Sequence, residues 1–128
     1  MSNVPSEFSY TKEHEWVQIL DAETVRFGIT DFAQAALGDI VFVTLPAVGS
    51  SITYGDSCGE VESTKSVSDI YAPVSGTVSA VNDSVETSPE TINQDPYGNG
   101  WIAEVKVDTS NLSGLISAAE YTQITSAS

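Results

Sequence analysis

A β-hairpin with a lysine at its tip is predicted by the stretch Ser57-Cys58-Gly59-Glu60-Val61-Glu62-Ser63-Thr64-Lys65-Ser66-Val67-Ser68-Asp69-Ile70-Tyr71. The two strands would be Ser57–Ser63 and Ser66–Tyr71, because the apolar pattern stops on one side of Lys65 and resumes on the other. Lys65 is one of three lysines, and together with Arg26 these are the only fixed positive side chains in 128 residues. Such a rare cation at a hairpin tip is a candidate for covalent modification.

The charge balance restricts the partners that the chain can bind. Asp and Glu number 18 against four Lys and Arg, which gives a formal net charge of -14. Nothing in the chain could neutralise a row of phosphates, so nucleic acid is not expected as a partner. The same charge argues against an anionic membrane surface. Partners with basic docking patches are favoured instead.

Length and composition predict one domain over residues 1–128, with its core in about 10–121 and frayed termini. Hydrophobic residues make up 41%, which is enough for a core of the chain's own. The single cysteine, Cys58, excludes an internal disulfide and a Cys-paired metal site. No apolar run approaches the ~20 residues of a membrane span. The first 15 residues resemble neither a signal peptide nor a transit peptide.

Short strands separated by turn residues extend on both sides of the hairpin. Alternating or β-branched residues predict further strands at Glu15–Ile19, Thr24–Ile29, Asp39–Leu45, Gly76–Val81 and Trp101–Val107. Many short strands with turn signals between them predict a mainly β protein, a sandwich or flattened barrel with short peripheral helices. Two similar half-sheets that meet at the hairpin would place Lys65 at one end of the domain.

Helical signals are weaker than strand signals in this chain. Thr30–Gly38 is predicted to be a short helix, with Thr30 as N-cap and Gly38 at the C′ position. The side chains of this helix that are expected to face the core are Phe32, Ala33 and Ala36. Asn82–Gly100 is predicted to be a long loop that is functional or tied down rather than free. Leu112–Tyr121 has weak helical spacing, and Thr122–Ser128 are predicted to fray.

A set of motifs occurs in a fixed order along the chain. These motifs are His14-Glu15-Trp16, Gly28–Gln34, Leu37–Val43 with Leu45-Pro46, Gly59–Lys65, Ala72–Gly76, Val81-Asn82 and Asn93–Trp101. Each motif is weak alone, but the ordered set, which extends from about Tyr10 to Tyr121, resembles the glycine cleavage H-protein family. The resemblance implies two antiparallel sheets arranged as a hybrid-motif barrel of the lipoyl and biotinyl type.

The same resemblance implies a cofactor and a set of partners. Lipoic acid would be joined by an amide to Lys65, and the chain would be a non-catalytic carrier. The lipoyl group would accept an aminomethyl group from glycine decarboxylase, pass it to the folate-dependent aminomethyltransferase, and be reoxidised by dihydrolipoyl dehydrogenase. A lipoyl-attaching enzyme is a further implied partner. The chain is expected to be a monomer, located in the cytoplasm of a bacterium or the mitochondrial matrix of a eukaryote.

Several side chains are candidates for roles around Lys65. Glu62 and Asp69, three residues before and four after it, are placed to be recognised by the modifying enzyme, and Gly76 is assigned to the same recognition. Carboxylates near the resting place of the arm could hold the ammonium of a loaded arm through charge-assisted hydrogen bonds. By resemblance, the carboxylates that do this are Glu15 and Asp69. Glu13, where the family often has Ser, would supply a third carboxylate.

The remaining candidates for chemistry have structural explanations. His14 and Cys58 carry the alternative of a small hydrolase or transferase, but a lone His before a Trp is more often a packing or hydrogen-bonding residue. Acidic neighbours such as Glu60 disfavour a Cys58 thiolate. No catalytic residue and no metal ligand is therefore predicted. Trp16 and Trp101 are predicted to fill the core.

Other carrier and binding classes are the alternatives. A biotin carrier has Met on both sides of its lysine, whereas the neighbours here are Thr64 and Ser66. A 2-oxoacid dehydrogenase lipoyl domain has Asp before its lysine. An H-like protein that relays lipoate to other carriers is not distinguished from glycine cleavage by these residues. An unmodified acidic binding module is a third class. A docking surface for basic partners could draw on Asp31, Asp39, Glu60, Glu62 and Asp69.

Overall fold

The structure is a computed structural model that describes residues 4–107, 112 and 114–126. Its strands are β1 (Ser9–Tyr10), β2 (Glu15–Ile19), β3 (Thr24–Ile29), β4 (Ile40–Thr44), β5 (Ser51–Ile52), β6 (Ser57–Ser63), β7 (Val67–Tyr71), β8 (Gly76–Val81) and β9 (Ala103–Lys106). Its helices are α1 (Asp31–Leu37), α2 (Ser84–Thr87), α3 (Glu90–Gln94) and α4 (Ala118–Ser126).

The strands form two antiparallel sheets, which confirms the predicted mainly β fold. A six-stranded sheet has the order β1-β2-β3-β9-β8-β5, and a three-stranded sheet has the order β4-β6-β7. Within the described residues no strand pairing joins the two sheets, so they form an open sandwich and not a closed barrel. The β6–β7 hairpin is part of the smaller sheet, in which β7 is an edge strand.

One apolar core lies between the sheets, and a smaller aromatic cluster lies beside it. Phe27 and Val105 of the larger sheet and Val61 and Ile70 of the smaller one belong to the main core. The smaller cluster consists of Tyr10, Trp16 and Tyr121, with the rings of Tyr10 and Tyr121 stacked at 4.8 Å. Trp101 packs against this aromatic cluster, as predicted, but it is only partly buried, and the Arg26 guanidinium lies over its ring at 4.5 Å.

Helix α1 has the predicted caps. Thr30 Oγ1 accepts a hydrogen bond from the Ala33 N–H at 3.2 Å, and Gly38 has a φ of 86°. Ala33 packs against the main core, but Ala36 is exposed, because α1 lies on the surface with only one narrow face toward the sheets. Phe32 instead stacks on the ring of His14 at 4.9 Å.

Two segments differ from the sequence-based prediction. Asn82–Gly100 is not a plain loop, because it contains α2 and α3, which are too short to show a helical period. The last helix begins later than predicted, and it includes Thr122–Ser126, which were expected to fray. Burial of the Tyr121 ring anchors this helix to the aromatic cluster. The short strands β1 and β5 had no sequence signal.

Candidate functional site

Lys65 lies in a tight turn whose backbone is held by the side chain of Ser63. Ser63 Oγ accepts hydrogen bonds from the N–H groups of Lys65 at 3.2 Å and Ser66 at 3.1 Å. The Ser63 N–H donates to the Ser66 carbonyl at 2.8 Å, and the Thr64 N–H donates to the Asp39 carbonyl at 3.1 Å. Every backbone N–H from Ser63 to Ser66 therefore has a partner. The turn is fixed, while the Lys65 side chain is exposed.

The stem of Lys65 lies against Gly38, at the end of α1. A Cβ placed on Gly38 would be 3.2 Å from Lys65 Cε and 3.8 Å from Lys65 Nζ. The ammonium is thus beside the C-terminal end of a short helix, where the exposed carbonyl groups favour a positive charge. Gly38 thus has two roles. It is the C-cap of α1, with a positive φ, and its backbone contacts the stem of Lys65.

The Asn93 side chain forms hydrogen bonds with the segment around Gly38. Its Oδ1 accepts a hydrogen bond from the Ile40 N–H at 2.9 Å. Its Nδ2 donates to the Gly38 carbonyl and to Gln34 Oε1, both at 2.9 Å. The side chain thereby ties α3 to the junction between α1 and β4. Sequence reasoning included Asn93 in a motif but assigned it no role, because its partners are more than 50 residues away.

The predicted recognition carboxylates lie on the outer face of the small sheet. Glu62 and Asp69 are both exposed, and Asp69 Oδ1 accepts a hydrogen bond from the Ser57 hydroxyl at 3.3 Å. Among the residues that the structure describes, the one side-chain ion pair joins Arg26 to Glu104 at 2.7 Å. Lys65 is therefore not neutralised by either carboxylate, although it shares a hairpin with both.

Glu15 is a buried carboxyl group at the start of β2. It accepts a hydrogen bond from the Thr11 hydroxyl at 2.6 Å. Burial raises the pKa of Glu15 to about 8, the nearby Glu13 carboxylate adds to the rise, and the Thr11 hydroxyl and the Tyr71 backbone oppose it. The group is therefore mostly protonated at neutral pH. Glu13 itself is exposed.

The candidate side chains thus form two groups that meet at β7. Glu62, Lys65 and Asp69 lie on the β6–β7 hairpin, whereas Glu13 and Glu15 lie where β1 turns into β2. The Tyr71 backbone, at the end of β7, acts on the pKa of Glu15, so the two groups approach each other there. In the described ranges, no cluster of three or more His, Cys, Asp or Glu side chains could hold a metal ion.

Gly76 lies away from the hairpin tip, at the start of β8. All of β7 separates it from Lys65 along the chain. A Cβ at Gly76 would clash with the Lys106 carbonyl oxygen, so the close pairing of β8 with β9 excludes any side chain here. Sheet packing thus accounts for this glycine, and its recognition role stays a prediction.

His14 and Cys58 have the structural roles that the sequence favoured. His14 Nδ1 bonds to the Tyr121 hydroxyl at 2.7 Å, and burial lowers the pKa of the imidazole. The same hydroxyl bonds to Thr30 Oγ1 at 2.7 Å, so this network fastens α4 to the start of α1. Burial, together with Glu15, raises the pKa of Cys58 to about 12. Its thiol is therefore a poor nucleophile.

Comparisons with known proteins find relatives over most of this chain. The model of the family described as "Glycine cleavage H-protein" matches residues 8–128. The glycine cleavage system H protein of Mycobacterium bovis (strain BCG / Pasteur 1173P2) is 56% identical over 118 residues, which cover 92% of this chain and 88% of that protein. The protein of the same name from Mycobacterium avium (strain 104) is 60% identical over 119 residues, with coverages of 92% and 90%.

A solved structure is similar over nearly its whole length. The crystal structure of a glycine cleavage system H protein from Mycobacterium marinum matches with a TM-score of 0.90 and 45% sequence identity. The match covers 96% of this chain and 99% of that chain. In the part of the sequence that the structure describes, no helix is long and apolar enough to cross a membrane.

Proposed function

This chain belongs to the glycine cleavage H-protein family, and from that premise we propose that Lys65 bears its lipoyl group through an amide bond. Proteins of this family are carrier subunits of glycine cleavage and not themselves catalysts. The observation that carries the proposal is the fixed turn around Lys65, with its exposed side chain free of an ion pair. An acylating enzyme needs such an amine, because it must reach one nitrogen in a reproducible position.

The chain's residues fit this cofactor. The bound lipoyl group would supply a reducible disulfide that can carry an aminomethyl group derived from glycine. Lys65 anchors it, and amide formation removes the lysine's positive charge, which makes the chain more negative by one. Ser63 and Asp39 hold the turn in place, so that the arm moves relative to a fixed root. Three partners follow from this role: glycine decarboxylase, the aminomethyltransferase and dihydrolipoyl dehydrogenase.

The carboxyl groups near β7 are proposed to receive the ammonium of a loaded arm. Asp69 offers an exposed carboxylate on β7, and Glu15 offers a buried one at the start of β2. A cation that arrives beside Glu15 would stabilise its ionised form, so the carboxyl would release its proton and accept a charge-assisted hydrogen bond. Glu13, exposed next to it, would add negative potential. The pair thus holds the ammonium where less water can reach it.

Intact mass spectrometry tests the attachment site. The wild-type chain is incubated with lipoate, ATP and a purified lipoate ligase, and it is expected to gain about 188 Da on a peptide that contains Lys65. Lys65→Arg should remain unmodified. Lys12→Arg, a substitution at another exposed lysine, should be modified like the wild type. A wild-type chain that stays unmodified, or a Lys65→Arg variant that still gains the mass, would contradict the proposal.

The relay of lipoate to other carriers is the alternative role of the same site. The similarity to proteins named for glycine cleavage favours the glycine cleavage role. Lipoylated chain incubated with an unmodified second carrier and a transferring enzyme would lose its added mass only in the relay role. We further propose a monomer in the bacterial cytoplasm, a location that the bacterial origin of these relatives supports.

A further inference from the structure

Strand β4 contains a bulge that turns an aromatic side chain toward solvent. Ile40 pairs with Ser63, but Phe42 pairs with Glu62, so two residues of β4 oppose one residue of β6. Bulges of this kind change the direction in which the following side chains point. Regular alternation after the buried Ile40 would direct Phe42 inward. Instead, Phe42 is 57% exposed and Val43 is buried.

The bulge places a second exposed apolar side chain in the row next to the hairpin tip. Phe42, Glu62 and Val67 are neighbours across the three strands of the small sheet, so the carboxylate of Glu62 lies between the two apolar residues. Val67 is 59% exposed, and the bulged residue Val41 is 50% exposed. Apolar side chains with this much exposure offer contact area to another protein.

The next row of the same face is acidic. Glu60 and Asp69 are direct cross-strand partners, and both are exposed. Like charges in this position destabilise a sheet. Neither has a cation within 4 Å among the residues described. The surface that would complement this face has apolar recesses for Phe42 and Val67, with Lys or Arg side chains that meet the carboxylates between and beside them.

We propose that the enzyme that attaches lipoate binds this face, with apolar recesses on Phe42 and Val67 and basic side chains on Glu60, Glu62 and Asp69. The proposal rests on the lipoylation of Lys65 proposed above. In that reaction, Lys65 Nζ forms an amide with the carboxyl carbon of a nucleotide-activated lipoate. The nucleotide leaves with the bonding electron pair, and the amine loses a proton to solvent.

The short reach of the unmodified Lys65 side chain favours the lipoate-attaching enzyme as the partner that binds this face. Its amine stands at the end of a four-carbon stem, so an enzyme that acylates it must cover the residues immediately around the turn. Val67 is two residues from Lys65, and Glu62 is three. Partners that act after attachment meet the far end of a much longer arm and need not cover this row.

Kinetics of lipoylation with the full-length chain test the proposal. A purified lipoate ligase is supplied with lipoate and ATP, and the added mass is followed for wild type, Phe42→Thr and Val67→Thr. We expect kcat/KM for the carrier to fall about tenfold in each variant, with kcat at saturating carrier retained. Ile19→Thr is the matched control, because Ile19 is 55% exposed at the end of β2, and its kcat/KM should not change. Circular dichroism verifies that all variants are folded.

The salt dependence of kcat/KM tests the proposed contacts between the acidic row and basic side chains of the enzyme. We expect added salt to lower kcat/KM for the wild type, and Glu60→Gln to weaken that dependence. Wild-type kcat/KM in both threonine variants would overturn the proposal. The proposal would also be overturned if the threonine variants were lipoylated normally but loaded slowly by glycine decarboxylase, since a later partner would then bind this face. If lipoylation of Lys65 itself were wrong, the wild-type chain would also stay unmodified. That result is distinct from one in which wild type and variants are lipoylated equally fast.

Discussion

Thr11 Oγ1 donates a 2.6 Å hydrogen bond to Oε1 of Glu15, which is only 2% exposed. The same hydroxyl oxygen accepts a hydrogen bond from the Glu15 N–H at 3.1 Å, so the two residues bind each other twice. These bonds satisfy the carboxyl oxygen, but they supply no positive charge. Burial therefore decides the protonation of Glu15 and raises its pKa to about 8.

The raised pKa of Glu15 predicts a stability that declines with pH. The folded chain keeps a proton that the unfolded chain releases above the ordinary pKa of 4.5, so this contribution is complete below that pH and is lost as the pH rises through about 8. Glu15→Gln keeps an acceptor for Thr11 but does not titrate. We expect it to flatten the decline in the free energy of unfolding, which from Glu15 amounts to about 1.4 kcal/mol per pH unit within this window.

Urea unfolding across this pH range measures the effect. Glu13→Gln removes the neighbouring exposed carboxylate and serves as the control, which should keep most of the decline. If Glu15→Gln and the wild type lost stability with the same pH dependence, Glu15 would not be a buried neutral acid.

Gly38→Ala should affect the lysine as well as the backbone. Alanine at a φ of 86° costs about 1–2 kcal/mol of stability, because its Cβ crowds the backbone. Gly49→Ala carries the same strain at a φ of 89° but has no atom within 4 Å of the new Cβ. We therefore expect both variants to be destabilised, and only Gly38→Ala to show slower lipoylation of Lys65. Equal lipoylation rates would show that the contact with Gly38 does not position the amine.

Ser63→Ala should loosen the hairpin tip without unfolding the sheet. The substitution removes the acceptor of two backbone N–H groups, and water can replace it only in part, at a cost of about 1 kcal/mol. Amide hydrogen exchange at Lys65 and Ser66 is expected to accelerate. Ser68→Ala, which removes a hydroxyl that donates to the Asp69 carbonyl and holds no N–H of the turn, should leave both rates unchanged. Unchanged protection in Ser63→Ala would mean that the strands alone hold the turn.

Asn93→Ala should destabilise the protein by about 1–3 kcal/mol, because the Ile40 N–H and the Gly38 carbonyl lose their partner. Thermal unfolding measures this loss. Gln94→Ala, at the exposed neighbouring position of α3, is expected to unfold near the wild-type temperature. Equal unfolding temperatures for the two variants would show that the hydrogen bonds of Asn93 do not stabilise the segment from Gly38 to Ile40.

The sequence predicts those features of the site that depend on residues close together in the chain. The strands on either side of Lys65 follow from side-chain alternation, and the caps of α1 follow from Thr30 and Gly38, whose chemistry acts within four residues. The helices α2 and α3 could not be predicted in the same way. Each is about one turn long, and their positions depend on distant partners such as the β4 segment that Asn93 binds.

The sequence by itself determined that a rare lysine stands at the tip of a hairpin in an acidic β protein, because strand period, turn chemistry and charge are properties of neighbouring residues. Only the tertiary structure decided that Glu15 is buried and protonated, that Phe42 faces solvent, and that Lys65 rests on Gly38. Burial, a strand bulge and a contact between separate elements each depend on atoms far apart in the chain. Local periodicity cannot encode them.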